Sequence, residues 1–332
     1  MSAAVPIERR SIAGTRLTTS VLGLVVDPTV STRPAENRPT VALLRKARAS
    51  GVTTFDLAGS SSPSWAAEVL LTAFPHWDPE VVVVLGAPAQ PTSGPGQRPS
   101  QLGPPSRPRP PEASQIGETA ELARRLSQIG SILVEWDPGQ KPSLAARETR
   151  QSLDDLTQHG AIAGSCIRCR PDSELPAKEE SPLRPPVSAE LSLLDVRLLK
   201  TLASRFHDSR GAVLVRDPFA QGRLDGSRFS ARLSDRGPSS TPRDVRTLHA
   251  EFDPVLRLAP LTRDRRRTLA QASVQFLVRW PWVASVLLPL PAPERWEEIR
   301  TAPNALPLDE GELRELGLLP RTNASSASAR GP

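Results

Sequence analysis

PEVVVVLGAP (residues 79–88) carries an unbroken apolar run, Val81 to Leu85, between Glu80 and Gly86. A strand with one wet face alternates apolar and polar residues. A short continuous run instead suits a strand covered on both faces, as in a parallel sheet. Upstream, helix-like Ser64–Phe74 precedes this run, strand-like Thr53–Leu57 precedes that helix, and helix-like Val41–Ser50 comes before both. RRSIAGTRLTTS reads as a short hairpin leading into a first buried strand near Val21–Val26. Downstream, helix Ala113–Gln128 leads to strand Ile132–Glu135, and helix Ser143–His159 to strand Ala161–Arg168. Strand Val187–Leu191, a helix near Leu194–Phe206 and strand Ala212–Arg216 follow. The last unit joins a helix over Arg265–Trp280 to strand Ala284–Leu288, with a further helix from Pro293. This repetition predicts an α/β chain whose eight parallel strands close into a (β/α)8 TIM barrel with an N-terminal β-hairpin.

Three segments break the rhythm. Ala87–Glu112 follows the third strand and is rich in Pro, Gly, Ser and Gln, so it is expected to be a disordered or polyproline-like insertion. Its PGQRPSQLGPPSRPRPPE has several PxxP spacings with interleaved arginines, the pattern that SH3-type grooves read, and it is the candidate contact for a protein partner. Pro171–Pro186 stands where a fifth helix belongs, but its prolines leave room for little more than one turn. Asp225–Asp244 reads as a polar loop, and Arg321–Pro332 as a disordered tail. The expected organisation is a single barrel over residues 7–319.

Composition narrows the function classes. Of the 332 residues 38% are apolar, enough for a substantial core. The formal net charge is +6, carried almost wholly by arginine; its densest run is Arg263-Asp264-Arg265-Arg266-Arg267. No recognition motif or aromatic stacking platform accompanies that charge, so nucleic acid is not an expected partner. No signal-like h-region or long apolar stretch is present, and two cysteines make no disulfide framework. A cytoplasmic protein without a membrane span is the expectation.

The stretches TRLTTSVLGL (15–24), ALLRKARASGVTTFDLA (42–58), ETRQSLDDLTQHGAI (148–162), DPFAQGRLDG (217–226) and ASVQFLVRWPWVASVLLP (272–289) resemble, in order and spacing, the aldo-keto reductases. That resemblance implies a barrel that reduces carbonyls with NADPH through an aspartate, a tyrosine, a lysine and a histidine at its C-terminal mouth. The aspartate is retained as Asp56. Ser61 stands at the tyrosine position, Gly86 at the lysine position and Glu135 at the histidine position. The chain contains no tyrosine at all. A serine hydroxyl is shorter and far less acidic than a phenol, so it cannot deliver the same proton. Glutamate at the histidine position also occurs in a branch of the family that reduces carbon–carbon double bonds, but that branch keeps the tyrosine and lysine.

The resemblance also implies a cofactor site. Arg168 and Cys169 stand where Ser-Asn would hold the nicotinamide carboxamide, and Ala189 where a glutamine would. Arg216 replaces the aromatic ring that stacks on the nicotinamide. Asp217 follows it, and would repel the pyrophosphate. Gln221 and Gly222 preserve the loop after the seventh strand, and Glu298 matches a glutamate that contacts adenine.

Other constellations carry less. Cys166 and Cys169 form one CxxC; in an extended strand the two side chains point to opposite faces. His76, His159, His207 and His249 fall on separate helices or loops, and no metal site is expected. The serines at 60–62 have no histidine to activate them. Trp136 follows the fourth strand, where it would line a pocket; Trp65, Trp280, Trp282 and Trp296 read as packing anchors.

Two readings stay open. The first is a barrel without its reaction, holding no cofactor (NADP(H) if any is retained) and acting as a binding or structural component. The second is an enzyme of altered chemistry, with Glu135 and Asp56 as acid–base groups and Arg168 and Arg216 as an anion site.

Overall fold

The computed structural model describes residues 6–28, 37–87, 113–139, 144–170, 185–234, 250–263 and 266–318. Strands β1 (Arg9–Ser11) and β2 (Thr18–Ser20) pair antiparallel as the N-terminal hairpin. Eight parallel strands then close a barrel: β3 (Leu22–Val25), β4 (Thr54–Asp56), β5 (Val82–Gly86), β6 (Ser131–Trp136), β7 (Gly164–Cys169), β8 (Val187–Glu190), β9 (Val213–Arg216) and β10 (Val283–Pro289). Each strand pairs with its neighbour in sequence, and β10 closes the ring against β3 through Val286↔Leu22 and Leu288↔Leu24. This is the (β/α)8 architecture.

The valine run shows why the barrel forms. All of Val81 to Leu85 is buried. Val81, Val83 and Leu85 join the layer between strands and helices, whereas Val82 and Val84 join the barrel interior. Alternate side chains of one strand thus feed two separate cores. Burying a valine or leucine side chain contributes about 1.5–3 kcal/mol, so neither face tolerates a polar residue. Below them Ile12, brought in by the hairpin turn, enters the same interior cluster and plugs the barrel's N-terminal end.

The outer ring comprises α1 (Asn37–Ala49), α2 (Pro63–Ala73), α3 (Ala113–Leu126), α4 (Leu144–Gln158), α5 (Leu199–Phe206), α6 (Ser227–Ser234), α7 (250–256), α8 (Leu269–Val278), α9 (Trp296–Arg300) and α10 (Glu310–Glu315). Helix α2 begins at a proline, whose fixed φ suits the first helical turn.

Two expectations need correction. Part of the polar loop expected at Asp225–Asp244 is helical, because α6 sets the Phe229 ring edge-on against Phe252 of α7 at 5.2 Å, and Arg228 pairs with Glu251. The helix expected from Arg265 starts four residues later. Thr268 caps it in a reciprocal box with Gln271, and Arg267 is drawn away to other partners. Residues 88–112, 171–184 and 319–332, which include most of the expected insertion, most of the degenerate fifth helix and the tail, lie outside the described residues.

Candidate functional site

Parallel strands bring their C-terminal ends to one face, where barrel enzymes place their chemistry. Asp56 ends β4, Glu135 lies next to last on β6, Arg168 next to last on β7, Glu190 ends β8 and Arg216 ends β9. On β7 the side chain at Cys166 points inward, so Arg168, two residues on, does so as well. The same alternation aims Arg216 inward beyond Leu214.

Arg216 reaches across the mouth. Its Nη1 and Nη2 donate to the two Asp56 carboxylate oxygens at 2.7 and 2.9 Å, and its Nε donates to Glu135 at 2.7 Å. All three residues are buried. Asp56 is further held by the backbone N–H groups of Ala58 at 3.1 Å and Gly59 at 3.2 Å. Gly59 is matched to this arrangement: a Cβ there would lie 2.9 Å from both Arg216 Nη1 and Asp56 Oδ2. Arg168 sits above, with Nη1 3.6 Å from Glu135 and Nη2 3.4 Å from Glu190 at the rim.

These charges hold one another. Burial pushes the Asp56 carboxyl above its ordinary 3.8, against the pull of the Arg216 guanidinium. Burial also opposes the charge on Arg216, but Asp56 and Glu135 outweigh it and raise the guanidinium above its ordinary value. A guanidinium held this way is not a proton donor. Beneath the cluster Cys166 is raised well above 9.0, first by burial and then by Glu135, so it is no thiolate nucleophile. Cys169 lies in the outer core, pushed up to about 11 by burial, and the CxxC therefore straddles the strand. Among the described residues no cluster of His, Cys, Asp and Glu could hold a metal ion.

The remaining expected positions do not join the cluster. Ser61 is exposed, and its N–H and hydroxyl both bond Asp27, at 2.6 and 2.8 Å. Gly86 ends β5 opposite Glu135 and offers no side chain. Ala189 packs in the outer core. Trp136 does too, and does not line the mouth, because it is one residue beyond the inward-facing Glu135. Arg168 and Cys169 are the last two residues of β7 itself.

The positions at which the resemblance implies a cofactor are engaged by the chain. Asp217, with φ 49°, turns its carboxylate back onto the backbone N–H of Gln221 at 2.6 Å. Burial raises the Asp217 carboxyl, with that N–H pulling the other way. Gln221 (φ 58°) and Gly222 (φ 81°) complete a left-handed turn, and a Cβ at Gly222 would meet Ser227 Oγ at 2.3 Å. Glu298 accepts from Thr268 Oγ1 at 2.6 Å and from Arg295 at 2.9 and 3.0 Å. Arg216 is thus drawn into the mouth and Asp217 onto its own loop, in place of the groups that the resemblance implies would meet a nicotinamide and a pyrophosphate.

The sequence already allows Glu135 to pair with a nearby arginine and the four mouth charges to neutralise one another. What it leaves undecided is which arginine does so, and only the register shows that the one guanidinium of Arg216 spans both carboxylates. Gly59, bare where the pair needs room, was the one signal available.

No protein-family model matches the chain, and no curated protein is similar to it in sequence. Solved structures are similar. The holo form of aldo-keto reductase AKR11C1 from Bacillus halodurans superposes with a TM-score of 0.61 at 18% identity, over 94% of this chain and 96% of that one. Its apo form gives 0.56 at 17% identity, over 94% and 95%. The glycerol dehydrogenase AKR11B4 from Gluconobacter oxydans gives 0.62 at 17% identity, over 96% and 95%. At such identities the likeness speaks for architecture alone. The chain therefore has the barrel fold of the aldo-keto reductases.

Proposed function

We propose that this protein is an aldo-keto-reductase-like barrel that does not reduce carbonyls and acts as a binding or structural component. One observation carries the reading: the buried Arg216 guanidinium, bound by both Asp56 and Glu135, occupies the mouth where substrate and cofactor would meet. The residues at the tyrosine, lysine and histidine positions support it: Ser61 is a far weaker acid than a phenol and is turned onto Asp27, Gly86 has no side chain, and Glu135 is bound by Arg216. The alternative with an Arg168/Arg216 anion site finds no support, because both guanidinium groups are already paired with carboxylates. In this reading partners carry the role, and the proline- and arginine-containing stretch 87–112 is the candidate contact.

Titration of the full-length protein with NADPH, followed by fluorescence, tests the proposal. No saturable binding and no NADPH consumption over a panel of aldehydes and ketones are expected. Tight binding or turnover would overturn it.

A further inference from the structure

The barrel's opposite end is built differently. A groove of about 1200 Å³ opens at the N-terminal face, between the hairpin turn, the starts of β5 and β6, and the C-terminal end of α4. It exceeds the usual 300–1,000 Å³ range of small-molecule sites. Its polar side chains divide into two sets. Arg9 is held by both oxygens of Glu80, while the Thr15 and Thr157 hydroxyls donate to backbone carbonyls. Arg16, Thr18, Ser131 and Gln158 make no side-chain hydrogen bond or ion pair with any described residue. Apolar walls come from Leu17, Pro79 and Ile162.

We propose that this groove binds a small monoanion in which a carboxylate is flanked by an amide and an apolar group, the chemistry of an N-acylated apolar amino acid. Arg16 supplies the uncommitted positive charge, in the fork geometry that matches a carboxylate. Among the described residues that line the groove, it is the one such charge. Glu80, held down to about 2 chiefly by its hydrogen bonds from Arg9 and Arg48, stays ionised and neutralises Arg9. A monoanion therefore fits better than a phosphate dianion. The free hydroxyls of Thr18 and Ser131 and the Gln158 amide can donate to and accept from an amide. The apolar walls accept the side chain. The proposal is independent of how the mouth at the other end is read.

Isothermal titration with N-acetyl-L-phenylalanine, N-acetyl-L-phenylalaninamide and N-acetylglycine separates the three contributions. The first is expected to bind at one site, and each of the other two at least about tenfold more weakly, for want of charge or of apolar body. Arg16→Ala lowers affinity for N-acetyl-L-phenylalanine about tenfold and leaves the amide unchanged. Gln158→Glu, which sets a like charge beside the ligand, lowers affinity too. Both positions are exposed, so neither change threatens the fold. No saturable binding of N-acetyl-L-phenylalanine, equal affinity for acid and amide, or an Arg16→Ala variant that binds like the parent would each overturn the proposal. Binding abolished by Arg168→Ala but kept in Arg16→Ala would place the ligand in the mouth, and overturn it as well.

Discussion

At the residue scale, the buried triad makes the sharpest predictions. Removing one partner of a buried ion pair leaves its counter-charges unpaired in low dielectric, at a cost of about 3–5 kcal/mol. Arg216→Met should lose that much in urea unfolding, because Asp56 and Glu135 are then both stranded. Converting all three to apolar residues of similar volume should recover most of the loss, since no charge is left buried. A triple variant as unstable as the single one would mean that Arg216 acts through packing instead. Gly59→Ala should cost about 1–3 kcal/mol by overpacking, because its methyl would press on the guanidinium. At the other end, hydrogen bonds from Arg9 and Arg48 hold the Glu80 carboxyl at about 2, below its ordinary 4.5. A depressed folded value stabilises the fold above the unfolded value, and that stabilisation is lost as pH falls from 4.5 towards 2. Glu80→Gln should flatten this part of the acid limb in pH-resolved melts. The effect should stay below about 1 kcal/mol, because the pair is partly solvated.

Among the elements, α8 shows how capping and ion pairing share one short stretch. Thr268 closes the capping box with Gln271 and also donates to Glu298 of α9, so it ties two helices. Thr268→Ala should cost about 1 kcal/mol in thermal or urea melts, in the usual range for a lost N-cap. Immediately before it, Arg267 is buried and donates to the carbonyls of Leu261, Leu306 and Pro307 and to both oxygens of Glu312. The densest basic run of the sequence thus spends one of its arginines on joining α8 to the capped start of α10. That use is invisible in a charge count. It also explains why the helical periodicity, which extends back to Arg265, overshot the helix start: tertiary partners for Arg267 outweighed local propensity.

At the scale of the whole molecule, the proposed reading predicts that adding the reductases' residue types piecemeal yields no reductase. Ser61→Tyr combined with Gly86→Lys restores two of the residue types that the resemblance implies. Arg216 still occupies the mouth, so the double variant is expected to consume no NADPH with aldehydes, measured at 340 nm. Turnover in that variant would mean that the ion cluster is easily displaced. No helix among the described residues is long and apolar enough to cross a membrane.

The strand–helix alternation was readable along the chain because hydrophobic period is a local property. Val81 to Leu85 betrays a doubly covered strand wherever it folds, and eight such units allow little other than a barrel. The absence of tyrosine needs no coordinates at all. The pairing of Arg216 with Asp56, 160 positions away, and with Glu135, 81 away, was beyond local reading. It depends on strand register and on which residues alternate inward, and these are fixed only when β10 meets β3 and the ring closes. The groove beside Arg16 likewise exists only between segments that closure brings together. Period is written residue by residue, whereas ion pairs and cavities belong to surfaces that the chain assembles from distant parts.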